Sequence, residues 1–346
     1  LSYISHSNST NNNWFLKESM VRLFILGAGA SKAYADSKTG ISMPIACDFF
    51  ETYDKLKIPN NLWVLQGQIH LYITNKYGID PYTYLRKGID IEDFHSSIEE
   101  DIQIEIDAGN ENESMFHQMS YNELIYLFSF VINEIQNGPI SKPHLKLAKY
   151  VSEKDVIATF NWDTLIERAL EESSNWNTSQ GYSFSPKSIY KNGWGNSNKK
   201  SNTGMVQLLK LHGSTNWLTI HPNMLDGFST LNRFVKPEDV FVYESTEEPY
   251  PCHRGRFMEG YERFSYGYYP VNLDMVAYDH DGEKIEFVNQ PKPHFEKGKA
   301  PTGGVPTIPL IIPPVKDKKY DKYGELFSLL WHKTSEAIQN ADEIIL

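Results

Sequence analysis

Three short stretches of the chain carry residues whose types and positions suit chemistry. In "TFNWD", Asn161 offers a hydrogen-bond donor and an acceptor, and Asp163 adds a carboxylate two residues on. In "KLHGS", His212 is a group that can act as a base near neutral pH. In "GAGAS", residues 27–31, the glycines let backbone N–H groups come close to a phosphate at the start of a helix. Asn161 can orient a sugar hydroxyl or a water, and His212 can take its proton. Each residue also has a plainer use. Asp163 suits an N-cap for "TLIERAL", His212 suits a core hydrogen bond, and the glycines suit a tight strand–helix turn. "GAGASKAYA" is not a full GxGxxG, because Lys32 stands at the third glycine, and it lacks the ending of a Walker motif.

The elements that must position these residues are legible in the hydrophobic pattern. "LFIL", "DVIATF" and "MVQLLKLHGS" are apolar runs of the kind buried on both faces of a parallel sheet. "PTIPLIIPP" reads as a fourth strand and "DEIIL" as a fifth. Between them lie helical stretches. "PIACDFFETYDKL" predicts a helix from near Pro44, and "NNLWVLQGQIHLYITNKY" predicts another. "DIEDFHSSIEEDI" places Ile91, Phe94, Ile98 and Ile102 on one face, and "NELIYLFSFVINEIQ" repeats the pattern from Leu124 to Ile135. Residues 45–152 therefore read as mostly helical. "DTLIERALEES" follows the second strand, and "YGELFSLLWHKTSEAIQNA" predicts a helix burying Leu326, Leu330 and Ile338.

Strands alternating with helices predict an α/β chain, a Rossmann-like doubly wound and mainly parallel sheet. The helical insertion spans about 45–152. Residues 174–204 read as a polar loop, and 219–305 as a small irregular or β insertion with "EKIEFV" antiparallel. Ligands of such sheets bind outside the carboxyl ends of the strands, so Gly27, Asn161 and His212 are expected on one edge. Residues 1–19 are polar and Asn/Ser-rich and read as an added or loosely attached arm, the alternative being a native arm that packs on a neighbour. "ADEIIL" ends inside a strand, so the native chain is expected to continue.

Composition narrows the function. A net charge of −11 argues against a broad basic face for duplex DNA or anionic lipid. No run nears the roughly 18 apolar residues of a membrane span. Cys47 and Cys252 cannot make a zinc ribbon and do not suggest a disulfide scaffold, so no metal and a cytoplasmic setting are expected. "YDHDGE" reads as a turn or a chance calcium-like cluster.

Taken together, "GAGASK…GISMP", "TFNWDTLIE", "KLHGSTNW" and the "PLIIPP…LW…ADEIIL" tail resemble the sirtuin-like superfamily over roughly residues 20–346. The closest likeness is to its bacterial branch that hydrolyses NAD in antiviral defence. The resemblance implies that Gly27, Ala28, Gly29, Ala30 and Ser31 bind the NAD pyrophosphate. It implies that Asn161 and Asp163 line the nicotinamide–ribose pocket and that His212 is the base. The motif neighbours Thr159, Phe160, Gly213 and Ser214 join the binding set, and Trp162 and Phe160 are candidate pocket walls. Phe160 replaces the glutamine usual in protein-deacylating members, and residues 219–305 hold only Cys252 where those members carry four zinc cysteines. The segment after the glycine–proline motif reads "PIACDFF" rather than the usual Asp-Phe-Arg. The expected activity is therefore NAD+ glycohydrolysis, with NAD+ as substrate, in a homo-oligomeric antiphage effector answering to a phage-derived trigger. The second expectation is a nucleotide-binding or scaffold subunit acting through a HerA-type ATPase. The third is a metal-free deacylase.

Overall fold

The molecule is described from a computed structural model covering residues 20–56, 67–136, 138–173, 176–190, 194–195, 204–220, 235–243, 276–278, 284–286, 307–316 and 323–346. Its elements begin with β1 (Arg22–Leu26), α1 (Ala28–Lys32), α2 (Phe49–Lys55), α3 (Gly67–Tyr77), α4 (Pro81–Leu85) and α5 (Ile91–Ala108). They continue with α6 (Glu111–Gln136), α7 (Lys142–Ala148), β2 (Val156–Thr159), α8 (Leu165–Glu172), β3 (Ser188–Tyr190) and β4 (Trp194–Gly195). Next come β5 (Gln207–Lys210), β6 (Gly213–Ile220), β7 (Phe241–Tyr243), β8 (Val276–Tyr278) and β9 (Lys284–Glu286). The last three are β10 (Thr307–Ile311), α9 (Glu325–Asn340) and β11 (Glu343–Ile345).

The parallel sheet has the order β5–β2–β1–β11. Successive residues Ile157, Ala158 and Thr159 of β2 are all buried, although neighbours in a strand point to opposite faces. The sheet is therefore covered on both sides, the Rossmann-like arrangement. Leu26, Thr159 and Lys210 share one row across it. The residues that follow them consequently emerge together at the carboxyl edge. β2 and β11 lie on opposite sides of β1, so the chain reverses its direction of winding there.

A second sheet has the order β10–β6–β7–β3–β4 and is antiparallel except between β7 and β3. β8 and β9 pair antiparallel, as "EKIEFV" suggested. Helices α2 to α6 pack around Phe49, Phe94, Ile98, Leu124 and Phe128 in a core that Leu218, Phe241, Ile308 and Ile311 of the second sheet join. Ile91, Phe94, Ile98 and Ile102 are all buried, as their spacing predicts.

Several expectations need correction. "PTIPLIIPP" forms β10, but β10 pairs antiparallel with β6 and lies outside the parallel sheet. β6 begins directly after His212; its polar start, Gly213 to Asn216, hid an eight-residue strand. The helix expected from near Pro44 opens with a 3-10 turn over Ala46–Asp48, which leads into α2. α7 packs on α8 rather than on the insertion, so it belongs to the sheet layers. Part of the expected polar loop is core instead, with Trp176, Tyr182 and Phe184 buried. Ile338 is 47% exposed because α9 buries the other face, through Leu326, Phe327 and Leu330. The N-terminal arm, most of "YDHDGE" and Cys252 lie outside the described residues.

The starts of β1 and β2 are tied by one carboxylate. Asp155 accepts from Arg22 N (3.1 Å), Nε (3.0 Å) and Nη2 (2.6 Å), and from Ser152 N (2.7 Å) and Oγ (3.0 Å). Burial pushes the Asp155 carboxyl up, but the Arg22 guanidinium and the Ser152 donors outweigh it and hold it below the usual carboxylate range. A depressed folded-state value contributes stability above the unfolded value and loses it as pH falls through the folded one. Asp155→Asn should cost about 3 kcal/mol at neutral pH. Denaturant melts should also show the variant losing less stability than the parent as pH drops below about 4.

Candidate active site

At the carboxyl edge of β1, β2 and β5 lies a cleft enclosing about 860 Å³, counting its open mouth. Ala28, Ser31, Phe160, Asn161, Trp162, Asp163 and His212 line it from the sheet side. Asn161 and His212 thus reach one cavity from loops far apart in sequence. Sheet register is the reason: Phe160 N bonds Leu26 O (3.2 Å) and Leu211 N bonds Thr159 O (2.9 Å), carrying the ladder one step beyond the strands.

Asn161 is held in a directed chain. Its Nδ2 donates to Gly27 O (2.8 Å) and to Ser31 Oγ (2.7 Å). Gly27 O can only accept, which fixes the orientation of the amide. Ser31 Oγ in turn donates to Asp163 Oδ2. Asp163 Oδ1 accepts from Leu165 N (3.1 Å) at the start of α8. Thr164, not Asp163, is the N-cap of α8; Asp163 stands one residue earlier, where it accepts from Leu165 N and also anchors Ser31. Both amide protons of Asn161 are engaged, and Oδ1 is left as the acceptor available to a hydroxyl.

Behind this chain stands an ion pair. Lys210, the last residue of β5, bonds Glu167 Oε1 of α8 at 2.8 Å, with both side chains fully buried. Its Nζ also donates to the Asp163 carbonyl, and Tyr182 OH reaches Glu167 Oε1 at 3.3 Å. Burial pushes the Glu167 carboxyl up, against the pull of Lys210.

His212 sits in the two-residue turn that passes from the parallel sheet into the second one. Its carbonyl accepts from Ile312 N (2.8 Å), and its ring meets Phe160 edge-on at 5.1 Å. Gly213 is required here. Its φ is +78°, and a Cβ would collide with the Leu310 carbonyl of β10. Ser214 Oγ donates to Trp162 O (3.2 Å), and Thr215 N donates to the same carbonyl (2.9 Å). Thr159 Oγ1 bonds Leu26 O (3.2 Å) and accepts Asn161 N (3.1 Å). Thr159, Gly213 and Ser214 thus support the cleft from behind it, and Gly27 contributes the carbonyl that orients Asn161. Gly29 and Ala30 lie within the single turn of α1.

The insertion supplies the facing wall: Met43, Pro44, Phe49, Ile91, Glu92, Phe128 and Ile132. It is clamped to the sheet domain at the end of α6. Gln136 Oε1 accepts Thr164 N (2.7 Å), while Arg168 of α8 donates to Gln136 O (2.7 Å) and Gly138 O (2.5 Å). An arginine on the last carbonyls of a helix supplies the partners that the helix itself lacks.

Lys210, Glu167, Gln136, Arg168 and Glu92 were not singled out from the sequence. Lys210 had a signal, a lysine inside the apolar run "LLKLHG". Among the described residues, no group of His, Cys, Asp and Glu is arranged to hold a metal ion, and no helix is long and apolar enough to cross a membrane. The site defines a Rossmann-like α/β protein with a cleft at its strand ends; compared with known protein families and curated proteins, the chain matches none.

Lys210→Met leaves the Glu167 carboxylate buried without its cation and should cost about 3–5 kcal/mol. Adding Glu167→Leu should recover part of that loss, because an apolar pair needs no charge partner. Denaturant melts of the parent, both single variants and the double variant measure the coupling.

Proposed function

We propose that the chain is an NAD+ hydrolase that cleaves the nicotinamide–ribose bond in this cleft. The observation that carries the reading is the convergence of Asn161, with its amide held and one acceptor oxygen left, and His212 on a single, mostly apolar cavity. Gly27 and Gly29 add support. Neither has a left-handed backbone, and a Cβ on either would meet nothing within 4 Å. Packing within the chain does not explain two glycines at that turn, whereas close approach of a pyrophosphate does. Phe49, Phe128, Ile132 and Trp162 offer a wall of the right chemistry for a flat nicotinamide ring.

In the reaction the bond between ribose C1′ and the pyridinium nitrogen breaks, and its electron pair leaves with nicotinamide. Positive charge develops on the ribose, as in glycoside hydrolysis. Asn161 Oδ1 accepts from a ribose hydroxyl or from the attacking water. His212 takes the proton that the water loses as its oxygen bonds to C1′. Asp163 and Ser31 act through Asn161, keeping its amide in place. The resemblance to defence-associated sirtuin-like proteins adds the setting: an effector that depletes NAD during phage infection, working as a homo-oligomer or with a partner.

Purified protein should release nicotinamide from NAD+ without an acyl-lysine peptide. Asn161→Ala and His212→Ala should each lower turnover by roughly 10²- to 10⁴-fold. The double variant should fall little further, since both groups serve one transition state. If variants with parental melting temperatures cleave NAD+ at the parental rate, the assignment is wrong.

A further inference from the structure

We infer that Lys32 is the cation that receives the substrate's pyrophosphate, and that Asp48 holds it until the phosphates displace the carboxylate. This rests on the NAD+-cleaving reading above. Lys32 follows Ser31 directly and ends the short helix of the glycine turn. Its Nζ donates to Asp48 Oδ2 at 2.6 Å. The other carboxylate oxygen, Oδ1, accepts from Ile45 N at 2.7 Å, across the 3-10 turn of Ala46–Asp48. The pair thus joins two parts of the cleft wall, Ala28 and Ser31 on the sheet side and Ile45 and Ala46 on the insertion.

Charge balance singles out this lysine. The pyrophosphate of NAD+ carries two negative charges. Among the described residues that line the cleft there is no lysine or arginine, and the carboxylates there, of Glu92 and Asp163, have the wrong sign. Lys210 is fully buried on Glu167 and the Asp163 carbonyl. Arg168 is committed to the carbonyls of Gln136 and Gly138. Lys32 is the cation of the glycine turn itself, one residue beyond Ser31 of the wall. Its side chain is 42% exposed, and its four-carbon stem lets Nζ turn from one acceptor to another. An ion pair this open to water holds weakly, so a doubly charged ligand can take the ammonium from a single carboxylate.

Once Lys32 turns to the phosphates, Asp48 keeps Ile45 N as its partner, and the turn that carries Ile45 and Ala46 stays capped. A competing partner and a mere fastener have opposite effects on binding. If Asp48 only fastens the insertion to the glycine turn, removing its charge loosens the cleft wall and weakens the ligand. If Asp48 competes with the ligand for Lys32, removing its charge tightens the ligand. Asp48→Asn retains a side-chain oxygen for Ile45 N, so the substitution isolates the charge from the cap.

Calorimetry with ADP-ribose, which keeps the pyrophosphate and lacks the scissile bond, reads the exchange directly. Asp48→Asn should bind it about three-fold tighter than the parent, and Lys32→Met about ten-fold weaker. Lys32→Arg, which keeps the charge, should stay within about three-fold of the parent. Nicotinamide riboside, which has no pyrophosphate, is measured in a His212→Ala background, where turnover does not interfere. Adding either Asp48→Asn or Lys32→Met to that background should leave its affinity within about two-fold. All comparisons are made at matched folded fraction, checked by thermal melting. Parental or weaker ADP-ribose binding by Asp48→Asn would overturn the exchange. Equal losses of ADP-ribose and nicotinamide riboside in Lys32→Met would overturn the role of Lys32. Either result leaves the NADase reading intact if the parent cleaves NAD+. A parent protein that neither binds ADP-ribose nor cleaves NAD+ would overturn both.

Discussion

A lysine ammonium without water must find its partners inside the protein, and Lys210 finds them in Glu167 and the Asp163 carbonyl. That constraint organises the site. Lys210 ends β5, Glu167 lies on α8, and Asp163 lies in the loop between β2 and α8. One buried cation therefore sets the distance between the strand that leads to His212 and the loop that carries Asn161. The desolvation cost of the pair is offset only while its geometry holds, so the arrangement penalises any slippage of β5 against β2. Tyr182, which reaches Glu167 and accepts from Asn216 Nδ2 at 3.2 Å, links the same pair to β6.

The two sheets meet at His212. β5 ends in the parallel sheet, and β6 begins in the other one after a turn of two residues. Gly213 lets the backbones of β6 and β10 come close there, and Ile312 N ties the His212 carbonyl to the chain just past β10. A histidine on a long loop would need other contacts to hold it. Here the chain on both sides of it is pinned by strands of different sheets. The insertion is coupled to the same place through Gln136 and Arg168, so a shift of α6 would reach Thr164, the residue after Asp163.

The parallel core was legible because both-face burial writes continuous apolar runs, as in "LFIL" and "IATF". The amphipathic helices α5 and α6 were legible through their spacing. The second sheet was not. β6 opens with Gly213 and then Ser214, Thr215 and Asn216, three buried polar residues that follow no apolar alternation. β10 carries the apolar run expected of a central strand, yet it pairs in the other sheet, because strand content does not state the partner. Asn161 and His212 could be placed on one edge from strand ends alone. The insertion residues of the cleft could not, since Phe128 and Ile132 look like any other core positions of α6 until the packing is seen.

The polarity of the cleft narrows what it can stabilise. The amide protons of Asn161 go to Gly27 O and Ser31 Oγ, and the Ser31 hydroxyl goes to Asp163. Lys210 is turned to the Asp163 carbonyl and Glu167, behind the cavity. These donors are engaged within the wall, whereas the buried indole N–H of Trp162, which also lines the cleft, has no hydrogen-bond partner. The cavity is also lined by His212, Glu92 and aromatic and aliphatic surface, and the Asn161 amide presents its oxygen as an acceptor. A transition state that gathers negative charge on an oxygen needs donors aimed at it. A transition state that gathers positive charge on a ribose needs acceptors, a nearby anion and shelter from bulk water. The acceptor oxygen of Asn161 and the apolar walls suit the second kind, in keeping with the proposed bond cleavage through an oxocarbenium-like state.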